Sequence, residues 1–348
     1  MPRVLMIAQR YSPYIGGVER HIEKISEILT KRGYQITVLT PKIDSNLPDC
    51  EKIGATEVIR FPNNIQRNPI LLLKWFTSNK EKMREFQIVH CHDFIPILFW
   101  STPFRMVFPG RPIYATYHGY ERDPVPLSFK CIRKMTEPLI RGSLCIGSFI
   151  RKIYGTNCNA TPLGAVSQTK ERASGNHHLL YVGRLEQDTP VLHYLEALTK
   201  IRGDNETESK ITICGSGSLQ KDIEEYCQKN AISARFTGRV RDPTQYYLDA
   251  DIAFAGGFLS ILEAMSYGLP VIAYSGTSLK QQYYKSVLAA GGKISIQSTS
   301  AGVAREIQRL RESHILYKSI SEQAIEFARQ NNWNRLADVY VRLWTGSI

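Results

Sequence analysis

At 348 residues, 43% hydrophobic and 22% charged, the chain exceeds one ordinary core and has a globular composition, so two domains are expected. The net charge of +12 is uneven: residues 1–165 hold 23 Lys and Arg against 13 Asp and Glu, the remainder 21 against 19. The first half therefore carries a basic field suited to anionic lipid, an acidic substrate or nucleic acid, and with no RNA- or DNA-binding motif beside it nucleic acid is the least favoured of the three.

In chain order, the first apolar run, Val4 to Ala8, is broken by Arg10. It is too short for a signal peptide or a spanning helix and reads as the first strand of a cytoplasmic fold. "RVLMIAQ" (3–9), an amphipathic segment with Val18, Ile22, Ile25 and Leu29 on one face, and "QITVLTP" (35–41) form a βαβ unit. Strands are expected at "EVIRF" (57–61), "QIVHCH" (87–92), "PIYATYH" (112–118) and "LCIGS" (144–148), with helical patterns near 70–86 and 126–141. After the polar linker "SQTKERASGNHH" (167–178) the alternation restarts at "LLYVGRL" (179–185), "KITICGSG" (210–217), "ARFTGRV" (234–240), "DIAFAG" (251–256), "PVIAY" (270–274) and "GKISI" (292–296), and from about 299 the chain reads as helical. Two doubly wound α/β domains follow, with ligands expected at the carboxyl ends of their strands.

Chemistry is therefore sought in loops that follow strands. Gly16 and Gly17 precede the first amphipathic helix, where free N–H groups suit a phosphate or a sugar, although glycines are also ordinary turn residues. Gly215 and Gly217 in "ICGSGSL" repeat the pattern but fall short of a dinucleotide fingerprint. Arg184 ends a strand and is either a phosphate ligand or a surface arginine. His118, at the end of "PIYATYH", is either a ligand at the edge of a cleft or a hydrogen-bonded structural histidine. His90 and His92 in "VHCHDF" are expected on opposite faces of their strand, mainly structural and unable to share a metal. "DAD" (249–251) is read as a helix-to-strand turn rather than a metal site. The seven cysteines are odd in number, scattered and without a CxxC pair, so no disulfide framework or zinc site is indicated.

Glu263 is the one charge in "AGGFLSILEAMSYGLPVIAY" (255–274), a stretch otherwise built of core residues. Taken in order, Gly16-Gly17, "VGRL" (182–185), "GSG" (215–217), "FTGRV" (236–240) and "SILEAMSYGLPVIA" (260–273) resemble the retaining glycosyltransferases of family 4, and "NNWNRLADVYVRLW" (331–344) is similar to that family's closing helix. The resemblance implies the GT-B fold, two facing Rossmann-like doubly wound domains with a cleft between them. Residues 1–166 would bind the acceptor, 167–330 the nucleotide-sugar donor, and 331–348 would pack back across both. Glu263 would bond the ribose hydroxyls. The backbone N–H groups of Ile261 and Leu262 would meet the diphosphate with Arg184, Ser260 would belong to the donor site, Phe236 to Val240 including Arg239 would lie beside the base, and His118 would touch the transferred sugar. Gly16, Gly17, Gly215 and Gly217 would complete the donor site.

Four positions depart from that pattern. A second glutamate is replaced by Ala255, the diphosphate lysine by Thr189 with Pro190 after it, the Asn of an Asn-Gly turn by Leu163, and a Gly-Gly-x-Pro-Glu stretch by "YSGTSLKQQY" (274–283), in which Lys280 is a candidate replacement cation. The resemblance implies a metal-independent enzyme without a cofactor, using a nucleoside diphosphate sugar as substrate and a glycan or lipid-linked acceptor, at the inner face of an anionic membrane. The alternative from another class is a nucleotide-sugar binding module without turnover.

Overall fold

The computed structural model describes residues 1–14, 16–119, 123–167, 178–201 and 210–348; most of the polar linker lies outside them. The chain forms two compact units, Met1–Pro162 with Trp333–Ile348, and Leu163–Asn332.

The first unit is a seven-stranded sheet of β1 (Arg3–Ile7), β2 (Gln35–Lys42), β3 (Cys50–Ile53), β4 (Thr56–Pro62), β5 (Ile88–His92), β6 (Ile113–Tyr117) and β7 (Gly142–Cys145), in the order β3-β4-β2-β1-β5-β6-β7. Only β3 is antiparallel, paired with β4 at the edge. The second unit has six parallel strands, β8 (His178–Val182), β9 (Lys210–Cys214), β10 (Ala234–Gly238), β11 (Ile252–Phe254), β12 (Val271–Tyr274) and β13 (Ser295–Gln297), in the order β10-β9-β8-β11-β12-β13. Setting β3 aside, both sheets have the Rossmann order 3-2-1-4-5-6. The order reverses between β1 and β5 in one and between β8 and β11 in the other, which marks where each sheet opens a crevice for ligand.

Burial on both faces explains the continuous apolar runs: Val4, Leu5, Met6 and Ile7 have no exposed surface. In the second unit Leu179, Tyr181, Ile211, Ile213, Ile252 and Phe254 of the sheet pack against Leu195, Leu198, Val303 and Ile307 of the flanking helices. Each such side chain contributes about 1.5–3 kcal/mol of burial. The helix Gly17–Lys31 buries Ile22, Ile25 and Leu29 on its sheet-facing side.

The sequence reading misses β3, a π-type turn at Pro96–Ser101 and the helix Thr102–Val107, and it places β7 two residues late. The helix Trp333–Thr345 belongs to the first unit, where it buries Trp333, Leu336, Ala337, Tyr340, Leu343 and Trp344 at helical spacing. Arg32 pairs with Asp338 at 2.6 Å beside it.

Candidate active site

In the second unit three loops at the carboxyl ends of β8, β9 and β11 meet backbone against backbone. Gly183 N–H donates to the Cys214 carbonyl at 3.0 Å, Leu185 N–H to Ser216 at 3.1 Å, and Leu219 N–H to Leu185 at 2.9 Å. A Cβ on Gly215 would collide with the Gly183 carbonyl, and one on Gly217 with that of Leu185. Both glycines are thus required by the neighbouring loop, whatever ligand lies above it. Arg184 leaves this knot with its side chain 66% exposed, its guanidinium 2.7 Å from Asp188 Oδ2.

The helix Phe258–Ser266 begins where β11 ends. Ser260 Oγ accepts from the Gly257 N–H at 2.9 Å and donates to the Gly257 carbonyl at 3.0 Å, so this hydroxyl caps the helix. Ile261 N–H already makes the first intrahelical bond, to Gly257 at 3.0 Å, and both Ile261 and Leu262 are buried. The expectation that Ile261 and Leu262 offer free donors is therefore corrected, because the helix starts earlier than the motif suggests. Phe258 N–H is bonded by the Tyr283 hydroxyl, and the donors with no acceptor among the described residues are those of Leu259 and Ser260. Tyr283 stacks on Phe258 at 3.9 Å between ring centroids, and Arg184 and Asp188 lie close enough to act on its hydroxyl.

Glu263 is 7% exposed, and the Tyr247 hydroxyl donates to its Oε2 at 3.0 Å. It is a buried carboxylate held by a neighbour, where the sequence suggested an open handle. Tyr247 belongs to the helix Thr244–Asp249, which follows the turn after β10. In that turn Gly238 has a φ of 69°, Arg239 is exposed and Val240 half-buried, while Phe236 packs against the core.

In the first unit Gly16 caps the helix Gly17–Lys31, and a Cβ there would strike the Glu19 carboxylate, so this N-terminus already has an anion beside it. A neutral hydroxyl suits it better than a phosphate. Gly17 meets no atom within 4 Å of a built Cβ.

His118, at the end of β6, is partly exposed and is bound on two sides: its backbone N–H donates to Asp93 Oδ1 at 2.8 Å, and its Nε2 lies 2.8 Å from His92 Nδ1. The His21 ring meets His118 edge-on at 4.6 Å. His90 and His92 share one face of β5, with centroids 5.3 Å apart, because residues two apart on a strand point the same way; the expectation of opposite faces was wrong. His90 Nε2 bonds Thr116 Oγ1 at 2.8 Å, Thr116 bonds the Tyr340 hydroxyl at 2.9 Å, that hydroxyl bonds His21 Nε2 at 2.9 Å, and Trp344 Nε1 donates to His90 Nδ1 at 3.0 Å. Burial holds all four imidazoles well below the ordinary histidine range; for His118, burial and then the Arg133 guanidinium lower the value to about 3. They are neutral at physiological pH.

The Glycosyltransferase Family 4 profile matches residues 15–146 and the Glycosyl transferases group 1 profile residues 176–312, together roughly three quarters of the chain. The chain is a family 4 glycosyltransferase. It is 22% identical to the phosphatidyl-myo-inositol mannosyltransferase of Mycobacterium leprae, over 98% of this chain and 96% of the relative. Sucrose-phosphate synthase from Thermosynechococcus elongatus shares its fold at a TM-score of 0.79 and 16% identity, covering 99% of each chain. Anabaena HepE in complex with UDP and glucose does so at 0.75 and 13%, covering 100% of each. Two parallel-sheet Rossmann-like domains of GT-B type and action on nucleotide sugars follow from this membership.

The departures of this glycosyltransferase have local explanations. Thr189 closes a turn, its Oγ1 donating to the Glu186 carbonyl at 2.7 Å, while Glu186 binds Ser218 Oγ at 2.6 Å. Ala255 is buried, and its carbonyl accepts from Tyr194, whose hydroxyl oxygen also accepts the Tyr274 N–H. Leu163 is buried where the second unit begins. Lys280 is 8% exposed, with Nζ 5.5 Å from the centroid of the Tyr283 ring that covers Phe258. Asp251 lies between helix and strand and accepts from the His178 N–H at 3.0 Å, while Asp249 accepts from Gln245. Among the described residues no group of three or more His, Cys, Asp or Glu is arranged to hold a metal ion.

Proposed function

We propose that the enzyme moves a sugar from a nucleoside diphosphate to an acceptor hydroxyl with retention at the anomeric carbon and without a metal ion, Leu163–Asn332 holding the donor. The reading is supported by Arg184 following β8 and the helix Phe258–Ser266 following the adjacent strand β11, with Tyr283 touching Phe258 within the field of Arg184, the unbonded Leu259 and Ser260 N–H groups at the start of that helix and Glu263 one turn further along it. Cation and helix N-terminus face the charge that grows on the diphosphate as the anomeric C–O bond breaks. The departing phosphate takes the acceptor's proton while the new C–O bond forms on the same face, so no separate base is assigned. Glu263, aligned by Tyr247, holds the ribose, the turn from Phe236 to Val240 borders the base, and Lys280 substitutes for the cation lost at Thr189. His118, with Gly16 and Gly17, is assigned to the sugar.

Calorimetric titration with UDP, GDP and ADP tests the donor site. One nucleotide is expected to bind preferentially, and Glu263→Ala to weaken it by about 10- to 100-fold. The glucose and mannose conjugates of that base then serve as donors, with the product anomer read by NMR and the rate compared with and without EDTA. Unchanged turnover in Arg184→Ala would sink the mechanism.

The acceptor is proposed to be lipid-linked or polyanionic, met at the inner face of an anionic membrane. The basic excess of the first half and the exposed Ile70, Leu71 and Met106 support this, and the mycobacterial relative is named for a phosphatidylinositol lipid. No helix among the described residues is long and apolar enough to cross a membrane, so contact would be peripheral. Sedimentation with phosphatidylglycerol vesicles at low salt, reversed by high salt, is the expected result.

A further inference from the structure

We infer that His92 fixes the tautomer of His118, so that His118 presents an Nδ1–H donor to a sugar hydroxyl oxygen of the bound nucleotide sugar. This rests on the assignment of His118 to the sugar made above. The 5.1 Å between the His92 and His118 centroids equals the 2.8 Å N···N bond plus two imidazole radii, and the planes differ by 22°, so the bond runs end to end in the plane of both rings. One proton lies between the two nitrogens, and which ring owns it decides what His118 offers outward.

His92 settles the ownership. It is 1% exposed, and its Nε2 is buried with no hydrogen-bond partner among the described residues. Were His92 to accept from His118, its own proton would sit on Nε2 as a buried N–H without an acceptor, the arrangement folded proteins most consistently avoid. With the proton on Nδ1, His92 Nε2 is a buried bare nitrogen, which costs less than a buried N–H left without an acceptor. His92 then donates to His118 Nε2, and the proton of neutral His118 must sit on Nδ1. That nitrogen has no partner among the described residues, and His118, unlike His92, is partly exposed. Asp93, holding the His118 backbone N–H, and His21, edge-on to the ring, fix the direction in which Nδ1 points. His92 is a positioning residue: it touches His118 and, on this reading, no substrate.

The test is long-range 1H–15N correlation on the full chain with 15N-histidine at pH 7.5, assigned with His118→Gln. The expected spectrum shows His118 as the Nδ1–H tautomer; an Nε2–H tautomer in the unsubstituted protein would overturn the inference without any variant having to fold. His92→Phe is expected to move His118 toward Nε2–H and to lower kcat with the active donor by about tenfold or more, leaving nucleotide affinity unchanged. His92→Asn, whose amide can still donate, is expected to restore most of the rate, and equal rates in all three proteins would count against the inference. If His118→Gln turns over normally while the Nδ1–H tautomer is seen, the sugar assignment fails and the tautomer relay stands alone.

Discussion

Gly17 and Gly215 both stand where a strand turns toward a helix, yet they answer to different neighbours. A methyl group on Gly215 overlaps the Gly183 carbonyl, so Gly215→Ala is expected to destabilise the protein by about 1–3 kcal/mol in chemical denaturation. One on Gly17 meets nothing, and Gly17→Ala is expected to leave stability within about 0.5 kcal/mol. Any loss of activity in the Gly17 variant therefore reports on a ligand. From sequence the two were indistinguishable, because close approach by another loop and close approach by a substrate select the same residue. Glu263 was legible as an anomaly, a carboxylate in an apolar stretch, but its partner Tyr247 lies sixteen residues away on another helix and carried no signal.

At the scale of elements, the buried strands were legible because they sit in continuous apolar runs. The edge strand β3, "CEKI", has neither a run nor a clean alternation, and the segment from Pro96 to Val107 carries two prolines, Pro96 and Pro103, that read as breaks. The histidine assembly was the larger omission: His21, His90, His92 and His118 come from one helix and two strands, and their meeting depends on the parallel register of β5 with β6. An imidazole whose folded-state pKa is lowered is protonated first in the unfolded chain. Stability is thus fully present above the ordinary value of about 6.5 and is lost as pH falls, by up to about 1.4 kcal/mol per unit for each histidine. The loss runs down to the folded-state value, about 3 for His118. The denaturation midpoint is expected to fall clearly between pH 7 and pH 5, and a flat profile would mean the cluster is not neutral. Tyr340→Phe removes a hydroxyl that serves both His21 and Thr116, and about 1–2 kcal/mol of stability is expected to go with it in urea titration at pH 7.5.

Across the whole molecule, two units with the same strand order are joined by two covalent crossings, at Pro162-Leu163 and at Asn332-Trp333. A chain ended at Asn332 lacks Tyr340 and Trp344, which His21, Thr116 and His90 require. It is expected to show a weakened first unit by hydrogen exchange at β5 and β6, while calorimetry still detects nucleotide binding by Leu163–Asn332. The return of the helix Trp333–Thr345 to the first unit also sets a timetable. During synthesis the amino-terminal sheet, complete at Cys145, emerges first but waits for roughly 190 further residues before the segment that covers its histidines, from Trp333 on, leaves the ribosome, whereas Leu163–Asn332 has every part it needs earlier. The usual order of maturation is therefore inverted, and a message cut short near its end would yield a chain whose second unit is whole but whose first unit never finishes.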